Sequence, residues 1–204
     1  MRHFGFKAHD PVLGLCWLRR QPTRFLAGSA AGAIRLVDAS RAVTAAATDD
    51  DDAAAAAADA AAAMDLPVVV DLPRFNNLTS VHVNADDSFV LASGYERHVT
   101  IFDLATGRVA RKIENAAELH INISRFASNA PSIFATSSFD KRVSLWDLRA
   151  SEAGGTRPVY SFASARGNVT LSFDPSDTLL LTAGVDNEIA LHLVADGRLA
   201  MRLT

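Results

Sequence analysis

The groups of this 204-residue chain that could do covalent or metal chemistry are few. Cys16 is its single cysteine, which excludes a disulfide within the chain and favours an intracellular (nuclear or cytoplasmic) setting. The six histidines (His3, His9, His82, His98, His120 and His192) show no spacing to cysteine or carboxylate that zinc ligands would need. Neither a Gly-x-Ser-x-Gly elbow nor a phosphate-binding loop occurs, and the glycines between Ala27 and Gly32 serve a turn. No catalytic residue, metal site or cofactor is expected. Recognition chemistry is better represented. In Trp146-Asp147-Leu148-Arg149 an aromatic ring, a carboxylate and a guanidinium stand within four residues. The planar donor fork of arginine suits carboxylates and backbone carbonyls, and arginine is enriched among the residues that dominate interfaces.

Composition narrows the setting further. About half the residues are apolar, 49%, and 21% are charged, the balance of a soluble globular protein. A net charge of -3 gives no electrostatic reason to expect direct contact with nucleic acid or an acidic membrane. No window approaches the roughly 20 apolar residues of a membrane helix, and the N-terminus lacks a signal-peptide run. Three Asn-x-Ser/Thr sequons, at Asn77, Asn122 and Asn168, fall at or inside expected strands and read as chance.

The elements that position the tetrapeptide emerge from internal repetition. Residues 26–38, 91–103, 135–147 and 181–193 each read as a strand, a tight turn of small and polar residues, and an alternating strand. The alternation, as in Val143-Ser144-Leu145, predicts one buried and one open face. A short strand precedes each unit, at 12–17, 78–83, 121–126 and 168–173. Another follows each, at 68–71, 108–113, 158–162 and 198–203. Four short antiparallel strands per unit is the plan of a propeller blade. The blades are expected near 7–72, 75–114, 118–163 and 167–204. The equivalent residues Val37, Phe102, Trp146 and His192 recur at intervals of 65, 44 and 46. The last two fit the ~40–45 residue period of such repeats. The low-complexity stretch 44–64, with Asp49 to Asp52 leading an alanine run, accounts for the longer first interval. It is expected to be a mobile loop with transient helix, because it offers no amphipathic face to dock.

These units resemble WD repeats, and the third, with Asp140 at its turn and Trp146-Asp147 closing its third strand, is the best match. The resemblance implies an all-β propeller and a histidine early in each repeat that bonds toward the turn aspartate. The repeats depart from that pattern. His9 faces Ala31 at the turn, the second repeat has Glu96 there, and Ala117 takes the histidine position of the third. Strand pairing and apolar packing must therefore hold the blades. Seven blades are typical of the family, so these four are expected to be part of a larger propeller or a truncated gene product, with a closed four-bladed ring as the alternative.

Residues 134–149 resemble the DWD box of WD-repeat proteins that dock on the damaged-DNA-binding-protein-1 adaptor of cullin-4 ubiquitin ligases. Small residues, Asp140, alternating apolar residues and Trp146-Asp147-Leu148-Arg149 each meet its pattern, and the other three repeats lack the arginine. The chain also resembles the WD-repeat half of plant leucine-rich-repeat/WD-repeat proteins linked to those ligases and to ultraviolet-B responses. The resemblance implies a substrate-receptor scaffold touching the adaptor through Arg149, with Trp146, Asp147 and Asp140 in support. It would hold an unknown protein target on another face. The competing reading is a generic WD-repeat scaffold, perhaps chromatin-associated, in which Arg149 pairs with an acidic side chain at home.

Overall fold

A computed structural model describes residues 10–40, 68–151, 157–164, 168–185 and 188–203. The insert 44–64, the N-terminal residues through His9 and the turn residue Asp186 lie outside these. The first sheet runs β1 (Val12–Trp17), β2 (Arg24–Ser29), β3 (Ile34–Asp38) and β4 (Val68–Leu72). The second holds β5 (Leu78–Val83), β6 (Phe89–Gly94), β7 (Val99–Asp103) and β8 (Arg108–Ile113). The third holds β9 (Ile121–Phe126), β10 (Ile133–Ser138), β11 (Arg142–Asp147) and β12 (Tyr160–Ala163). The fourth holds β13 (Asn168–Phe173), β14 (Leu179–Gly184), β15 (Ile189–Leu193) and β16 (Leu199–Leu203). Each is a four-stranded antiparallel meander in sequence order. The all-β architecture expected of blades is what the chain adopts.

Successive sheets stack through their first strands, β1 on β5, β5 on β9 and β9 on β13. One apolar cluster fills each junction. Leu26, Ile34 and Leu36 meet Leu78, Val90 and Phe102 at the first, and Leu91, Val99 and Ile101 meet Phe126, Phe134 and Trp146 at the second. Ala135, Val143 and Leu145 meet Leu171, Phe173 and Leu180 at the third. Here the expectation of one open face is corrected. Val90 and Ala92 face the first sheet while Leu91, between them, faces the third. A central blade is sandwiched, so alternation along β6 and β7 sorts residues between two buried faces. Small polar side chains on these strands are buried with partners. Ser124 donates to Ser93 Oγ at 2.8 Å.

Polar staples join the blades at their turns. Asp87, in the β5–β6 turn, accepts the backbone N–H groups of Arg19 and Arg20 at 2.9 and 2.7 Å. Asp177, in the β13–β14 turn, accepts those of Ser128, Asn129 and Ala130 at 2.5, 2.7 and 3.0 Å. Both aspartates sit in the left-handed region, with φ of 61° and 59°, which short polar side chains tolerate best after glycine. Asn84 links the middle pair, donating from Nδ2 to Pro131 O at 3.0 Å. Among the described residues, no helix is long and apolar enough to cross a membrane.

Candidate functional site

The third blade carries the site. The β10–β11 register sets Phe134 opposite Trp146 and Thr136 opposite Ser144. Trp146 is 3% exposed and its ring lies parallel to that of Phe134, with centroids 5.9 Å apart. Its Nε1–H donates to Thr136 Oγ1 at 2.9 Å, so the indole's one polar atom is satisfied inside the core. Trp146 is a packing residue, fixing the end of β11 from which the next residues emerge.

Asp147 and Arg149 form a pair at that end. The Arg149 backbone N–H and Nε donate to Asp147 Oδ1 at 2.9 and 3.0 Å, and Nη2 donates to Oδ2 at 2.8 Å. The Arg149 side chain holds the Asp147 carboxyl below its usual range, with burial opposing. The side chains differ sharply in exposure, 73% for Arg149 against 17% for Asp147. The carboxylate therefore anchors the guanidinium from beneath, and Nη1 takes no part in the pair. A single 3-10 turn, Leu148–Ser151, carries Arg149. It is tied down twice. Leu148 N–H donates to Ser132 O at 2.9 Å, and Arg111 Nη1 from the second blade donates to Leu148 O at 2.9 Å. Leu148 also packs against the apolar cluster between blades two and three.

The fourth candidate stands apart from these three. Asp140 lies in the turn before β11, at the opposite rim, six residues of strand or roughly 20 Å away. Its Oδ2 accepts from the Glu118 N–H at 2.9 Å and its Oδ1 from that of Arg142 at 2.8 Å. Its carboxylate thus caps two backbone amides in place of the histidine contact the repeat pattern implies. The equivalents of Asp147 elsewhere are occupied differently. Asp38 pairs with Arg24 across the hairpin at 3.0 Å, and Asp103 accepts from Thr106.

Two other histidines behave as structural residues. His192, in the tryptophan position of the fourth repeat, is 9% exposed and stacks on Phe162 with centroids 3.9 Å apart. His82 accepts the Phe126 N–H at Nδ1, 3.1 Å away, and so joins β5 to β9. Among the described residues, no three His, Cys, Asp or Glu side chains gather as metal ligands would. Sequence reasoning passed over Arg111, Asp87 and Asp177. The aspartates carried a signal in their shared place in the β-hairpin turns, but Arg111 is an ordinary strand residue whose partner lies 37 positions away.

Four antiparallel four-stranded sheets stacked through their first strands, with Trp146-Asp147-Leu148-Arg149 closing the third strand of one, define a WD-repeat β-propeller protein with a DWD box. No family model matches the chain. It is similar to the Arabidopsis thaliana protein named "Protein DWD HYPERSENSITIVE TO UV-B 1", with 39% identity over 192 residues, or 94% of this chain. The chain spans 22% of that relative's length.

Proposed function

We propose that this chain is a non-catalytic scaffold that docks on the adaptor of a cullin-4 ubiquitin ligase, the damaged-DNA-binding-protein-1 subunit, through Arg149. The observation that carries the reading is the pairing of a highly exposed Arg149 with a mostly covered Asp147. A guanidinium already held in one geometry loses little side-chain freedom on binding, and its remaining donors suit backbone carbonyls or a carboxylate on the partner. The name of the Arabidopsis relative, which contains both DWD and UV-B, supports the same assignment and a place in ultraviolet-B responses. A second reading draws on the same ion pair. Arg149 closes a sound WD repeat by satisfying Asp147, and the chain is a generic scaffold with no ligase role.

Binding of the purified adaptor to wild-type chain and to Arg149→Ala separates the two. Loss of an interface hot-spot arginine is expected to weaken binding about thirtyfold. Circular dichroism must show both proteins equally folded. Equal affinity, or no binding by the wild type, would leave only the generic scaffold.

A further inference from the structure

We infer that two copies of this chain close head to tail into one ring, the first blade of each packed on the fourth blade of the other. At every junction inside the chain, the first strand of the following blade lies on the first two strands of the blade before it. Strand pairing places Trp17, Val83, Phe126 and Phe173 at one register position of those first strands. Val83, Phe126 and Phe173 are buried in the three junctions, whereas Trp17 is 59% exposed. Leu15, two residues earlier, is open where Val81 and Leu171 are buried. Leu15, Cys16, Trp17 and Phe25 line a cavity of about 320 Å³ on this wall. Ala27 and Val37 of the same wall are covered, so its open part is β1, the strand position that the other junctions use.

The fourth blade presents the matching surface. Leu26, Leu91, Ala135 and Leu181 share one position on the second strands. The first three are buried under the following blade, and Leu181 is 40% exposed. Ile189 pairs with Leu203 as Ile34 pairs with Leu72 and Val99 with Ile113. Those two earlier pairs are buried, and Ile189 and Leu203 are both exposed. Among the described residues the first and fourth sheets do not stack on one another, so an apolar surface stands open at each end. A second copy brings both missing halves. Its β1 is the first strand that the fourth blade lacks, and its fourth blade is the support that β1 lacks. Two copies related by a two-fold axis make that junction twice and leave neither end bare. Eight blades fall at the upper end of the roughly four to eight of most propellers. Charge fits the same sense of packing. The turns between first and second strands meet at the internal junctions, as Asp87 meets Arg19 and Arg20. The closing junction brings the turn that holds the ionised Asp174 beside the one that holds the exposed Arg20. Arg149 lies on the third blade, away from both ends, and the inference stands whether or not the adaptor reading does.

Sedimentation equilibrium of the purified chain at roughly 50 μM, a concentration that detects micromolar pairing, is expected to give twice the mass of one chain and nothing larger. Leu15→Glu and Leu181→Lys each place a charge in both junctions of their own dimer. Each should raise its dissociation constant at least about tenfold. An equimolar mixture of the two variants should pair again. In the mixed dimer one junction joins two unaltered walls, and the other holds glutamate and lysine together. Both substitutions are at exposed positions, and circular dichroism melts check the folds. Leu15→Ser and Leu181→Ser, mixed in the same way, serve if a charged variant melts early. A monomeric wild type would overturn the inference and leave the open walls to another occupant, such as further blades of a longer chain. Open-ended oligomers would overturn it too, because the junction would then not close. So would a Leu15→Glu chain that pairs like wild type, which would mean that two fourth blades meet, or a mixture that stays monomeric.

Discussion

Asp177→Ala is expected to lower the free energy of unfolding by about 3 kcal/mol, and Asp87→Ala by a similar amount. The carboxylate of Asp177 is the acceptor for three successive backbone N–H groups of the β9–β10 turn. Removing it strands those donors at the junction of blades three and four, at a cost of about 2 kcal/mol for charge-assisted bonds. Alanine must then hold a φ of 59°, which adds about 1 kcal/mol. Asn is the informative control, because it tolerates that conformation and keeps one acceptor oxygen, so its loss should be about half. Asp86→Ala supplies a second control, since Asp86 bonds Ser88 within its own turn and joins no blades. Urea melts followed by circular dichroism measure all four variants. Asp87 and Asp177 share no partner, so their losses should add in the double mutant. If Asp86→Ala costs as much as Asp177→Ala, the staples contribute nothing as links between blades.

These staples also mark the limit of what could be read from the sequence. The first strand of every sheet coincides with the segment expected from alternation and flanking turn residues, because both signals are local. Of the last strands, β8 matches its expected bounds and the other three drift by a residue or two. β16 is exposed along its whole length, so it carries no buried pattern to fix its ends. The second buried face of β6 and β10 was hidden for a different reason. Ser93, Thr136 and Ser137 are small and polar, which gives no local sign of burial, yet they are buried. Asp87 and Asp177 share a place in their hairpin turns, but what they do there depends on partners 47 to 68 positions away, a distance no local pattern spans. At the candidate site, the Trp146 anchor and the home pairing of Arg149 were both legible, since their partners lie on the same hairpin or two residues off. The tie from Arg111 was not, because blade packing alone creates it.

Acid should weaken the fold through His82, by about 2 kcal/mol between pH 7 and pH 5. Its Nδ1 accepts the Phe126 N–H, so the ring must be neutral at that atom for β5 and β9 to stay joined. Burial is the chief force that pushes its pKa down, to about 3, and the positive charges of Arg125 and Arg19 push the same way. In the unfolded chain the ring titrates near its ordinary value of about 6.5. Its contribution is therefore complete above that value and is lost as pH falls from there toward the folded value. His98 and His192, also depressed by burial, add to the loss with the same sign. The carboxylates do not confound this window. Asp174, held down to about 2 chiefly by its bond from Ser176, stabilises the fold until pH drops below the ordinary carboxylate range. His82→Gln isolates the effect, because an amide oxygen can still accept from Phe126 but does not titrate. The stability difference between wild type and His82→Gln should shift by about 2 kcal/mol from pH 7 to pH 5, or about 6 °C in Tm. An identical acid loss in both proteins would mean that His82 titrates normally in the fold. A full shift would show that acid acts at the junction of blades two and three, where Arg111 and Leu148 also set the position of Arg149.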